Sequence, residues 1–172
     1  MAVDAERFRE VASCFPAGVT VVTALGADGE ARALTLSAFC AVSLEPPLVL
    51  VCLDKGSSTL SAIRHLGAFT VNVLCAGREE LARRLASKAP DKLAGVALTE
   101  EALAGPVLAE DACAYLACGL EEAVEAGDHW VLLGRVVAAQ AWPERSPLVY
   151  WRRNFSMLTG APERSTGANP TS

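Results

Sequence analysis

Two segments far apart in the chain hold the side chains best suited to chemistry. Thr35, Ser37 and Ser43, interleaved with Leu36 and small Ala38 and Ala41, lie on a strand-like run that enters a polar bend before Pro46-Pro47. Gly127-Asp128-His129 reads as a tight turn carrying one of only two histidines. Hydroxyls beside small residues suit the carbonyls and nitrogens of a flat heterocyclic ring, and they also serve as ordinary turn and strand-end partners. A histidine at a hairpin tip can steer the ring of a second nucleotide, or stand as an exposed turn residue.

Between these segments, Lys55 and Ser57-Ser58-Thr59 precede a helical pattern. Free N–H groups and partial positive charge at a helix start favour a phosphate; simple capping accounts for the same residues. Arg83 and Arg84 offer bidentate cations or a solvated basic face. Tyr150-Trp151-Arg152-Arg153 joins aromatic faces to cations, fitting either a dinucleotide or a subunit seam.

The sequence contains no G-x-G-x-x-G, P-loop, H-E-x-x-H or G-x-S-x-G motif. Hydride transfer needs no protein nucleophile and no metal; it needs two flat rings held face to face. Six cysteines without a C-x-x-C pair, and two histidines, leave too few ligands for a zinc site. These cysteines read as free core thiols in a reducing compartment.

The elements that must position these residues follow from pattern. Residues 4–13 predict a short amphipathic helix with Phe8, Val11 and Ala12 on one face. Strands are expected at 19–25, 31–37, 48–53, 68–74, 113–124 and 130–142, the first two joined by the turn Ala27-Asp28-Gly29. Ser57 to Thr59 cap a helix whose apolar positions are Leu60, Ile63 and Leu66, and residues 79–88 predict another helix. Residues 89–111, with Pro90, Gly95, Gly105 and Pro106, read as an excursion over the surface. Residues 147–158 form the last ordered piece, and 159–172 a disordered tail. Six or seven strands with short helices between them predict a small, mainly β, closed or split barrel forming one domain over 1–158.

Composition narrows the class. The 172-residue chain is 52% hydrophobic and 20% charged, which argues against disorder and suggests burial against a partner chain. A net charge of −5 gives no footprint for nucleic acid. The uncharged stretch 11–27 is broken by Pro16, Gly18 and Gly26, so no membrane span is expected, and the N-terminus is not signal-like; a cytoplasmic protein is expected.

The order of these segments resembles the flavin reductase family, the reductase components of two-component flavin-dependent monooxygenases. The likeness runs through Phe15-Pro-Ala-Gly-Val-Thr-Val-Val-Thr23, Leu34-Thr-Leu-Ser-Ala-Phe39, Val42-Ser-Leu-Glu-Pro-Pro47 and Ser57-Ser-Thr59. It continues through Phe69-Thr-Val-Asn-Val-Leu74, Leu81-Ala-Arg-Arg-Leu-Ala86, Gly127-Asp-His129 and Pro147-Leu-Val-Tyr150. The resemblance implies an FMN-binding split barrel, a homodimer, and an NAD(P)H:flavin oxidoreductase that passes reduced FAD or FMN to a monooxygenase or halogenase, with NADH as the donor and NADPH as the alternative. By the same resemblance the isoalloxazine meets Thr35, Leu36, Ser37 and Ala38, with Ser43 near. Ser58, Thr59, Arg83 and Arg84 take flavin phosphate, and Asn72 reaches the cofactor. His129 and Tyr150 serve the nicotinamide nucleotide, His129 steering hydride transfer. Ala17, Ala38 and Cys40 stand where the family often has hydroxyl residues, and Leu85 where it has a phenylalanine near the ring or adenine. A non-catalytic flavin-binding module and a flavin oxidase independent of nicotinamide are the competing readings.

Overall fold

The computed structural model describes residues 2–99 and 104–158; the tail expected at 159–172 lies outside the described residues. Ten strands and three helices are present among the described residues, more strands than the six or seven expected. The hairpin signal at 27–29 joins β2 (Thr20–Leu25) to β3 (Ala31–Leu36), with Gly29 taking the positive φ of 77° that the turn requires. After β3 come β4 (Phe39–Leu44), β5 (Pro47–Asp54) and β6 (Ala68–Leu74), then the long hairpin of β7 (Ala112–Ala126) and β8 (His129–Ala141).

These seven strands form one antiparallel sheet ordered β3-β2-β6-β7-β8-β5-β4. β3 and β4 therefore sit on opposite edges, although only Ser37 and Ala38 separate them in sequence. Three peptide steps reach about 11 Å at most, so the sheet must curl until its edges nearly meet. No ladder joins them among the described residues, which leaves the barrel split at this seam. Residues missing from the strand count supply a second, three-stranded sheet: β1 (Ala17–Gly18), β9 (Leu148–Trp151) and β10 (Asn154–Met157).

Helix α2 (Ser58–Leu66) is capped by Ser57, whose Oγ accepts from the N–H groups of Thr59 and Leu60. It buries Leu60 and Ile63 among Val22, Val51, Leu53, Phe69, Val71 and Leu132, while Leu66 is exposed rather than sharing that face. Gly134 makes room for Phe69: a Cβ there would stand 2.5 Å from the Phe69 ring. A second core, on the outer side, packs Ala82 and Leu85 of α3 (Glu79–Ala86) against Val19, Val21, Leu74, Leu108 and Leu148. Leu85 is fully buried there, so it is a packing residue and not a stacking partner for a ring.

In the stretch at 89–111, residues 89–99 are exposed or half-buried, as a surface excursion should be, but 104–108 depart from that expectation. Ala104, Val107 and Leu108 are buried, and three polar side chains hold their backbone. Thr23 Oγ1 donates to the Pro106 carbonyl at 2.5 Å, and Thr70 Oγ1 to the Gly105 carbonyl at 2.6 Å. Asn72 Oδ1 accepts from the Leu108 N–H at 2.9 Å, while its Nδ2 donates to the Val21 carbonyl at 3.1 Å. A segment without a ladder can be buried only when its polar backbone groups find such partners.

Helix α1 (Ala5–Ala12), capped by Asp4, has the expected amphipathic pattern but buries nothing; Phe8 and Val11 are exposed. The six thiols are free, but not all are core groups: Cys14 and Cys40 are exposed, Cys113 and Cys118 buried. Among the described residues no helix is long and apolar enough to cross a membrane.

Candidate functional site

A cavity of about 330 Å³ opens between β3, α3 and the β9–β10 hairpin. Its floor is apolar: Val19, Leu36, Ala82, Ala86 and Phe155. Its polar groups are few and mixed in kind, namely Thr35, Ser37, Tyr150, Arg83 and Arg153. Thr35 Oγ1 is buried and has no hydrogen-bond partner among the described residues, so its bonding capacity is unused. Tyr150 packs at a tilt of 58° against Phe155 with ring centroids 5.2 Å apart, and the Arg83 guanidinium lies 4.9 Å from the Phe155 ring centre. Glu79 stands one turn before Arg83, yet no ion pair joins them among the described residues. The arrangement can grip a flat apolar ring and an anion together.

Thr35, Leu36, Ser37, Arg83 and Tyr150 are thus brought together. Ala38 sits beside them in the bend, its carbonyl accepting from the Cys52 N–H at 3.1 Å. Ser43 is half-buried on β4, next to the bulge at Val42. Arg84 points elsewhere. Its guanidinium donates to the Ala94 carbonyl at 3.4 Å and lines a second, polar depression that also holds Arg78 and Asp111, an ion pair at 2.9 Å.

Ser58, Thr59 and His129 gather at another place. Strand pairing sets His129 opposite Asp54, and the Lys55 N–H donates to the Asp128 carbonyl, so the β7–β8 tip lies against the approach to α2. Lys55 forms an ion pair with Glu125. Thr59 is buried and its Oγ1 also lacks a partner. His129 Nδ1 lies 2.7 Å from Asp128 Oδ1. An ionised carboxylate only accepts, so Nδ1 carries the proton and Nε2 is turned to other partners. The hydrogen bond from His129 holds the Asp128 carboxyl below its usual range.

Asn72 corrects an expectation. It is 0% exposed and its amide is committed to Val21, Thr23 and Leu108, so it belongs to the core clamp and cannot reach a cofactor. Arg153, offered by the sequence for a dinucleotide or a subunit seam, lines the cavity, and Phe155 is a cavity residue that sequence reasoning missed. The signal for Phe155 is its register opposite Tyr150, which follows only once a β9–β10 hairpin is drawn.

The residues present fit a flavin: the cavity is mostly apolar, Thr35, Ser37 and Tyr150 line it, and Arg83 and Arg153 beside it have no carboxylate partner among the described residues. A split β-barrel with a cavity of this chemistry suits a flat ring that carries an anionic group. The sequence model described as "Flavin reductase like domain" matches residues 12–159, and the chain belongs to the flavin reductase family. It is 43% identical over 156 residues to a "Flavin reductase (NADH)" of Kitasatospora aureofaciens, a match covering 90% of this chain and 82% of that one. It is 40% identical over 155 residues to "Flavin-dependent monooxygenase, reductase subunit HsaB" of Rhodococcus jostii, covering 90% and 78%. Among solved structures, the Streptomyces globisporus NADH:FAD oxidoreductase SgcE6, in complex with NAD and FAD fragments, superposes with a TM-score of 0.84 at 36% identity, covering 96% of this chain and 99% of that chain.

Proposed function

We propose that this protein is an NADH:flavin oxidoreductase that prefers FAD and hands reduced flavin to a flavin-dependent monooxygenase. The observation that carries the reading is the cavity itself, a mostly apolar slot lined by Thr35, Ser37 and an Arg83 that has no carboxylate partner among the described residues. The solved relative named as an NADH:FAD oxidoreductase supports the choice of flavin and donor. The relative named as a monooxygenase reductase subunit supports the partner. When bound, flavin supplies the acceptor for a hydride from the nicotinamide ring.

The chain's own residues then have simple duties. Thr35 and Ser37 offer hydroxyls to ring carbonyls and nitrogens, and the apolar floor excludes water. Arg83 balances anionic charge, with Ser58 and Thr59 offering a helix start to phosphate. His129, oriented by Asp128, presents Nε2 to the carboxamide of the donor. No general acid is needed for the step; orientation of the rings supplies the rate.

We infer a homodimer as well. Phe8 and Val11 on α1, and Val42 and Leu44 on β4, are exposed apolar side chains with nothing covering them in one chain. A second copy is the economical cover, and free thiols fit a cytoplasmic setting. His129 does not line the cavity within one chain, and this favours the second reading, a non-catalytic flavin module. Donor oxidation separates the two. The purified protein with excess FAD should oxidise NADH, and His129→Ala should slow donor use while leaving FAD binding intact. Flavin binding without oxidation of NADH or NADPH would favour the module.

A further inference from the structure

The turn between β9 and β10 is built from the wrong residues for its shape. Trp151 pairs with Asn154, so Arg152 and Arg153 alone form the loop, and both have positive φ, 48° and 64°. Two-residue hairpins of this type ordinarily use Asn-Gly, Asp-Gly or Gly-Gly, because a left-handed backbone costs a residue with a Cβ stability. Among the described non-glycine residues, these two are the ones held at positive φ.

Arg152 has a side-chain contact of its own beside a backbone anchor. Its N–H donates to the Ser13 carbonyl at 2.8 Å, and its guanidinium stacks 4.7 Å from the Trp151 ring. Trp151 Nε1 in turn donates to the Cys14 carbonyl. Arg153 has no such anchor. It forms no ion pair and no ring contact among the described residues; what it does is line the cavity, together with Arg83. Arg83 too lacks a carboxylate partner. Two guanidinium groups without a carboxylate partner among the described residues thus share one cavity in a chain whose net charge is −5, and strain retained beside a cavity points to function.

We propose that Arg83 and Arg153 form a clamp for a diphosphate, so that the cavity selects a dinucleotide over a mononucleotide, Arg153 being kept there at the expense of backbone strain. This rests on the reading of the cavity as a nucleotide site. Guanidinium groups bind phosphate oxygens bidentately and keep their charge at every working pH. Both FAD and the nicotinamide dinucleotide carry a diphosphate, and the test separates them.

The probes are FAD, FMN and riboflavin, with binding read by quenching of flavin fluorescence, and NAD+, nicotinamide mononucleotide and ADP, read by calorimetry. The variants are Arg153→Gly, which removes both charge and strain, and Arg153→Lys, which keeps both. For Arg153→Gly we expect FAD affinity to fall about tenfold with riboflavin unchanged, while the melting temperature rises by about 2 °C. Arg153→Lys, which keeps the charge but loses the bidentate fork, should lose less affinity than Arg153→Gly and show no rise. A loss confined to NAD+ relative to nicotinamide mononucleotide would assign the clamp to the donor. Unchanged ratios in both series would overturn the proposal. A wild-type protein that binds no flavin, yet binds ADP in an Arg153-dependent way, would overturn the flavin reading and leave the clamp standing.

Discussion

Replacing Asn72 with alanine removes a side chain that ties two buried strands to the segment carrying Leu108. Leu108 is fully buried, and its N–H donates to Asn72 Oδ1 at 2.9 Å. Without that acceptor the N–H is left dry and unpaired, at about 1–3 kcal/mol. The two donations from Nδ2, at 3.1 Å to Val21 and 3.3 Å to Thr23, are lost as well. Thr23 Oγ1 still reaches Pro106, so this second loss is smaller, about 1 kcal/mol. The sum is about 3 kcal/mol, which for a chain of this size lowers the melting temperature by about 10 °C. Thermal melts by circular dichroism check the stability, and flavin fluorescence quenching at low temperature checks binding. The expected result is a large fall in melting temperature with FAD affinity unchanged in the folded protein. A variant of normal stability with weakened FAD binding would refute the clamp and return Asn72 to the cofactor.

The other predictions draw on separate parts of the molecule. Gly134→Ala should destabilise by about 2–3 kcal/mol, because the new Cβ meets the Phe69 ring at 2.5 Å and the Cys118 Cβ at 2.9 Å; Gly119→Ala, with nothing within 4 Å, is the control and should melt near wild type. His129→Ala should raise KM for NADH about tenfold, the worth of one hydrogen bond to a polar group, with FAD affinity unchanged; steady-state kinetics at saturating FAD decide it. Burial raises the Cys118 thiol from an ordinary value near 9 to about 12. The unfolded chain releases that proton from about pH 9 upward while the fold retains it, so the stabilising contribution is full below pH 9 and is lost as pH climbs towards 12. Cys118→Ala should therefore show a shallower alkaline fall in melting temperature, and parallel slopes for variant and wild type would count against it.

Much of the fold was legible because its signals are local. β6 falls at Ala68–Leu74 as expected, since a β-branched and apolar run sits between Gly67 and a charged helix. Ser57 caps α2, and Gly67 ends it at a positive φ, as side-chain chemistry dictates. What escaped was set by partners distant in sequence. Pro106 and Gly105 look like surface punctuation, and only Thr23, Thr70 and Asn72 make their burial tolerable. β10 stayed hidden because Arg152-Arg153 is not a turn signal, and with it went the cavity role of Phe155 and the choice between the two readings of Arg153. The cavity core of Thr35, Leu36, Ser37, Arg83 and Tyr150 came from the family resemblance, since each residue alone reads as an ordinary turn, helix or strand component. Arg84 could not be separated from Arg83 by sequence, yet about 100° of helix rotation per residue sends it to a different depression.

The most direct test of the central claim is an anaerobic titration with catalytic protein, NADH and an excess of free FAD, following flavin absorbance and NADH together. The account predicts that one FAD is bleached per NADH oxidised, over many turnovers of the protein, with no oxidation when flavin is withheld. Binding of FAD without bleaching, or NADH oxidation that continues in the absence of free flavin, would contradict it.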